Sequence, residues 1–170
     1  MYERVFVAVG ARAPDFTLKD EADRDVSLHG FRNKGKLVLA FVRGVDDAAT
    51  REQLDYLKDD YERFKLQGAD VLAVSAGNVQ FNRILHETRR LPFHLLSDPA
   101  CHVIRLYGLY NEYDRLVGPA MFVLNDAGVI VFMYQSKNPK DIVEDEEIIR
   151  ALRGDTQTPP GWPGGNDDRD

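Results

Sequence analysis

Cysteine is nearly absent from this chain: Cys101 is the single one in 170 residues. One thiol cannot close an internal disulfide, so stapled secreted scaffolds and the Cys-x-x-Cys pair of dithiol exchange are both excluded. Positive charge is in short supply too. With 22 Lys and Arg against 28 Asp and Glu, the formal charge is -6. A duplex nucleic-acid binder gains its affinity from cations that displace counterions at phosphates, and this balance argues against one. No apolar run approaches the roughly 20 residues of a membrane-spanning helix. The short apolar run at residues 5–9 has neither a basic leader nor a small-residue cleavage site. A glycine-rich phosphate loop with its lysine and a Gly-x-Ser-x-Gly elbow are also missing, which removes nucleotide hydrolysis and serine-esterase chemistry in their usual forms. These absences leave a cytoplasmic protein with neither a nucleic acid nor a membrane as partner.

What is present suits one soluble domain: 44% of residues are hydrophobic and 29% charged, enough for a single core. Residues 13–18 and 26–28, joined by the charged turn 19–23, predict an amino-terminal β-hairpin. Residues 37–42 are an unbroken apolar run, as in a strand covered on both faces. Leu54, Leu57, Tyr61 and Phe64 recur at helical steps, predicting one helix over 50–67 that Gly68 stops. A strand at 71–74 follows, then a helix at 78–88 with Phe81, Ile84 and Leu85 inward, and a strand at 93–96. Ser97-Asp98-Pro99 opens a further helix that ends near Gly108. Strands at 121–124 and 129–134 flank the turn Asn125-Asp126-Ala127-Gly128, and a helix over 141–152 closes the domain. The fold class is therefore α/β, a central mixed sheet flanked by helices, parallel in its middle and antiparallel at one edge, in thioredoxin-like order. Residues 1–154 form this domain. Residues 155–170, rich in Pro and Gly and ending in charges, read as an extended or disordered tail.

Several pieces carry a resemblance in their order and spacing: Ala13-Pro14-Asp15-Phe16-Thr17-Leu18, then Phe41-Val42-Arg43-Gly44, Val74-Ser75, Leu91-Pro92-Phe93-His94-Leu95-Leu96-Ser97-Asp98-Pro99, Tyr107-Gly108 and Pro119-Ala120-Met121-Phe122-Val123-Leu124. Together they resemble the peroxiredoxins of the AhpC/TSA (redoxin) group. The resemblance implies a thiol-dependent antioxidant oxidoreductase. In that family a thiolate in the first turn of the helix after the central strand attacks the peroxide, helped by a threonine and an arginine. Counting from Phe41 without gaps puts Thr50 at the cysteine position and Asp47 at the threonine position. Shifting by one matches Ala49-Thr50-Arg51-Glu52 to the family's Cys-Thr-x-Glu and puts Ala49 at the cysteine position. Either register removes the nucleophile, and a threonine hydroxyl has no sulfenate-like state to cycle through. The family's second arginine falls on Pro119, which resembles the cis-proline of thioredoxin-type sites.

The candidate site is thus a degenerate one of Asp47, Thr50, Glu52 and Pro119, with Arg43 and Arg51 as candidate ligands for a small anion at a helix N-terminus or as plain surface cations. Asp46, Asp47 and Thr50 read as helix caps, Thr50 with Gln53 as a capping box. Cys101 has two readings. Three residues into a helix, the dipole would lower its pKa and make it a redox thiol; alternatively it is a small, partly buried apolar residue. His94, Asp98, Cys101 and His102 are close in sequence, but neighbours on a helix diverge by about 100°. The reading is no metal and no cofactor. Three functions remain: a peroxiredoxin-like protein without ordinary peroxidase activity, a binding or assembly module using the old cleft for a small anion or peroxide-like ligand, and a Cys101-based redox sensor or peroxidase. The resemblance also implies a homodimer.

Overall fold

The computed structural model describes residues 7–44, 46–111, 113, 116–117, 119–135 and 145–154. The tail at 155–170 and the start of the last helix at 141–144 lie outside them. The amino-terminal hairpin is β1 (Thr17–Lys19) with β2 (Asp25–Ser27), shorter than the sequence suggests, and a 3-10 turn, Leu28–Phe31, follows. Next come β3 (Lys36–Val42), α1 (Ala48–Asp59), α2 (Tyr61–Leu66), β4 (Ala69–Ser75), α3 (Val79–Arg89) and β5 (His94–Ser97). Then α4 (His102–Leu106), the short pair β6 (Tyr110–Asn111) and β7 (Leu116–Val117), β8 (Ala120–Leu124), β9 (Ile130–Gln135) and α5 (Asp145–Arg153) complete the order.

Seven strands form one sheet in the order β2-β1-β5-β4-β3-β8-β9. Its middle, β5-β4-β3, is parallel. Both flanks are antiparallel, not one, because β1 pairs with β5 at Lys19↔Ser97 and carries the hairpin onto that edge. The expected α/β mixed sheet with thioredoxin-like order is thus the observed architecture.

Alternation along the central strands splits the core in two. Val38, Ala40 and Val42 of β3 face the same way as Val71 and Ala73 of β4, under α1, α2, α3 and α5. Leu37, Leu39 and Phe41 face the other way, against α4, the 3-10 turn and the segment around Phe16. On that second face the Tyr107 ring lies 4.9 Å from Phe41 and its hydroxyl donates to the Pro14 carbonyl at 2.6 Å. Two motifs of the resemblance, 93 positions apart along the chain, meet in this contact.

The single helix expected over 50–67 is interrupted at Asp60, which caps α1 and starts α2. The break lets Leu54 and Leu57 pack over β3 while Phe64 turns onto β4. Ile84, expected inward, is 57% exposed; Asn82 takes the buried position instead. The turn at Asn125 matches the sequence: its side-chain oxygen accepts from Ala127 and Val129, and Gly128 sits at φ 81°, where a side chain is disfavoured.

Candidate functional site

The carboxyl end of β3 and the amino end of α1 enclose the corner singled out by sequence. Gly44 belongs there for a steric reason: a Cβ would stand 2.6 Å from the Ala76 Cβ, so only glycine lets the loop after β3 lie on the loop after β4. Asp47 caps α1, its Oδ1 accepting from the Thr50 amide at 2.8 Å. Its Oδ2 meets the Arg43 guanidinium at 3.3 Å, and both side chains are partly buried. Burial pushes the Asp47 carboxyl up, but the Thr50 amide, the nearby Thr50 hydroxyl and the Arg43 and Arg51 charges outweigh it and hold it below the usual carboxylate value. Arg51 pairs with Asp46 at 2.8 Å and also donates to the Asp46 carbonyl. Both arginines are therefore tied to aspartates rather than held as free surface cations.

Thr50 does not open the helix as a cap, as the capping-box reading expected; it is the third residue of α1, on the same buried stripe as Leu54 and Leu57. It is 1% exposed, and its Oγ1 is, among the described residues, the buried side-chain polar atom left with no hydrogen-bond partner. The nearby Asp47 carboxylate feels the hydroxyl, yet the hydroxyl stands outside hydrogen-bond geometry. Gln53 does not box Thr50 either. Its amide reaches across to the Phe41 carbonyl at 3.5 Å and to the Met121 sulfur at 4.0 Å. Ala49 is half-exposed and Glu52 points to solvent. Pro119 immediately precedes Ala120, the partner of Phe41, so the β3–β8 register brings it beside the end of β3. Its expected cis bond involves Gly118, which lies outside the described residues.

Cys101 is elsewhere. It is the residue before α4, at φ 55° and ψ 29°, and not inside the helix. Asp98 supplies the cap in its place, accepting from the amides of His102 at 3.0 Å and Ile104 at 2.8 Å. Burial and the Asp98 carboxylate push the thiol pKa up, with Arg105 opposing them. This runs against the reading of a thiol activated by a helix dipole: burial is the larger cause, and the amino end of the five-residue α4 is already occupied by a carboxylate. β4 separates β5 from β3, and α4 packs on the face opposite α1, so Cys101 and Thr50 do not share a site.

Two groupings escaped the sequence. Ser75 donates to Asn82 at 2.6 Å and accepts from the Gly77 amide, while Asn82 donates to Ser97 at 2.8 Å, all buried, tying α3 to the ends of β4 and β5. A polar Asn82 beside Phe81 and Leu85 on a helix face was its only sequence signal. The second is Asp20 and Glu21 with His94, joined by chain segments more than seventy positions apart.

A seven-stranded mixed sheet with a polar helix amino end at the close of its central strand defines a thioredoxin-like protein of the peroxiredoxin type. The AhpC/TSA family profile matches residues 9–133, and the chain belongs to that family. It is 33% identical over 149 residues to the chloroplastic peroxiredoxin Q of Triticum aestivum, covering 86% of this chain and 68% of that one. With alkyl hydroperoxide reductase E of Mycobacterium tuberculosis it shares 32% over 146 residues, 85% of this chain and 95% of the relative. Among solved structures, the peroxidoxin BcpB of Mycobacterium tuberculosis shares the fold at a TM-score of 0.77 and 21% identity, over 88% of this chain and 98% of that one. Enterococcus faecalis AhpC does so at 0.77 and 18% identity, over 86% and 91%. No helix among the described residues is long and apolar enough to cross a membrane. The Triticum relative is named chloroplastic, so scarcity of cysteine does not by itself assign a compartment.

Proposed function

We propose that this chain keeps the peroxiredoxin frame without thiol peroxidase turnover, and that its Thr50 corner recognises a small, neutral, hydroxyl-bearing molecule such as a hydroperoxide or alcohol. The observation that carries this reading is the Thr50 hydroxyl, buried and unpaired at the first turn of α1. A buried polar atom without a partner costs about 1–3 kcal/mol, and a ligand hydroxyl donating to it would recover that cost. The charges argue for a neutral ligand. Arg43 is paired with Asp47 and Arg51 with Asp46, and the Asp47 carboxylate already caps the helix amino end, so an added anion would meet a matched set of charges.

The position of the one thiol supports the proposed absence of turnover. A peroxidatic cysteine needs a stabilised thiolate, and Cys101 has burial and a neighbouring carboxylate against it. Threonine at the α1 position stays protonated and has no redox couple to offer.

Hydroperoxide consumption with dithiothreitol or thioredoxin as reductant tests the first half. The natural protein and Cys101→Ser should both stay at background. Turnover by the natural protein that Cys101→Ser abolishes would make Cys101 the working thiol and sink the proposal. Binding of tert-butyl hydroperoxide or its alcohol, read by chemical shifts of the Thr50 and Arg51 amides, tests the second half; Thr50→Val should abolish it.

A further inference from the structure

The turn between β1 and β2, the last turn of α3 and the start of β5 bring carboxylates and imidazoles into one cluster, on a different strand from the Thr50 corner. The His94 Nδ1 lies 3.0 Å from Glu21 Oε1 and 3.5 Å from Asp20 Oδ2. His86 Nε2 stands 3.4 Å from the same Glu21 oxygen and 3.1 Å from the Phe93 carbonyl. One atom from each of Asp20, Glu21 and His94 fits within a 4.8 Å span. We propose that Asp20 Oδ2, Glu21 Oε1 and His94 Nδ1 bind a zinc-type divalent cation, with water in the remaining position.

Three observations support the set. In a tetrahedral site with bonds of about 2.0–2.1 Å, neighbouring donor atoms stand roughly 3.3 Å apart, and the observed 3.0 and 3.5 Å bracket that spacing. The carboxylates are oriented by their other oxygens: Asp20 Oδ1 accepts from the Ala22 and Arg24 amides at 2.9 and 3.0 Å, and Glu21 Oε2 from the Leu95 amide at 3.2 Å. Such outer hydrogen bonds aim the second oxygen of each carboxylate toward His94 and hold the groups in place before an ion arrives. Finally, the side chains of Asp20 and Glu21 are 2% and 12% exposed, whereas His94 is 44% exposed, so the anionic floor is desolvated and the imidazole side is open for entry. Arg24 approaches Asp20 Oδ2 at 3.5 Å from a side chain that is 70% exposed, free to swing away when an ion binds. With a neutral imidazole the three donors carry two negative charges, which one divalent ion balances. The mixed nitrogen and oxygen set favours zinc over magnesium or calcium, which select oxygen alone.

The test is a zinc titration of the full chain, first stripped with chelator, against a chromophoric competitor in the presence of excess magnesium, with histidine ring resonances followed in parallel. One zinc per chain should bind and shift the His94 ring, leaving His29 and His102 unmoved. Glu21→Gln and His94→Gln should each weaken binding at least tenfold while keeping the natural circular dichroism. Should Glu21→Gln fail to fold, His94→Gln and the ring shifts of the natural chain still decide. Absence of saturable binding, binding that survives both substitutions, displacement by magnesium, or shifts confined to His29 or His102 would each overturn the site.

Discussion

At the residue scale, Thr50 is where core packing and hydrogen bonding disagree. Its side chain has the volume of valine, its neighbours Leu54 and Leu57 are core residues, and its hydroxyl has no partner. Replacing that hydroxyl with a methyl removes an unsatisfied group without opening a cavity. Thr50→Val should therefore stabilise the protein by about 1 kcal/mol, read as a raised midpoint in urea with an unchanged slope. Destabilisation would mean the hydroxyl has a partner in solution and would weaken the proposed ligand role. The distance from Phe41 locates this residue in the sequence, but the capping box suggested by Thr50 and Gln53 does not form. Capping is a matter of backbone angles at the helix start, and Asp47, with φ -113° and ψ 171°, holds the extended geometry that a cap needs. The spacing from Asp98 predicts Cys101 inside a helix, but the αL conformation at φ 55° delays the helix past it, and nothing in its neighbours' residue types announces that.

Between elements, buried polar contacts do what alternating hydrophobicity cannot. The Ser75, Asn82 and Ser97 chain fastens α3 to the carboxyl ends of two strands inside an otherwise apolar face. Asn82→Ala should cost about 2–4 kcal/mol, because it opens a cavity and strands the Ser97 hydroxyl and part of the Ser75 hydroxyl. Asn82→Ala combined with Ser97→Ala should cost clearly less than the sum of the two single changes, which a double-mutant cycle by chemical denaturation measures. Strand positions at 37–42, 71–74, 93–96, 121–124 and 129–134 were legible to within a residue or two, since runs of Val, Leu and Phe flanked by turns have few other solutions. The break at Asp60 was not legible. Leu54, Leu57, Tyr61 and Phe64 keep a helical spacing straight across it, and only the need to pack on both β3 and β4 bends the chain there.

For the whole molecule, acid is the informative stress. Burial raises the Asp20 carboxyl, but the Arg24 and Ala22 amides, the Arg24 charge and His94 outweigh it, so its pKa lies below the ordinary 3.8. Asp47 is lowered too, as described above. For Asp15, burial is outweighed by hydrogen bonds from His29 and the Phe16 amide. Each group is then easier to protonate in the unfolded chain than in the folded one. The stability each contributes is fully present above the ordinary carboxylate value and drains away as pH falls through the depressed folded value. Denaturant midpoints should accordingly hold steady down to about pH 4 and decline below it. Asp20→Asn should lower stability near neutrality while flattening that decline; an unchanged slope below pH 4 would show that Asp20 is not among the groups responsible.

The sequence by itself determined the frame: an apolar central strand, alternating strands and helices, a closing hairpin, the membership of the AhpC/TSA family, and a corner after Phe41 without a cysteine. Those are properties of local composition and order, which one-dimensional periodicity records directly. Tertiary structure alone decided which polar groups meet. The pairing of Arg43 with Asp47, the isolation of the Thr50 hydroxyl, the face on which Cys101 sits and the gathering of Asp20 and Glu21 against His94 all depend on distances across the sheet. Hydrogen bonds and ion pairs act over a few ångströms in space, and residues that make them here, such as Pro14 and Tyr107, stand 93 positions apart along the chain.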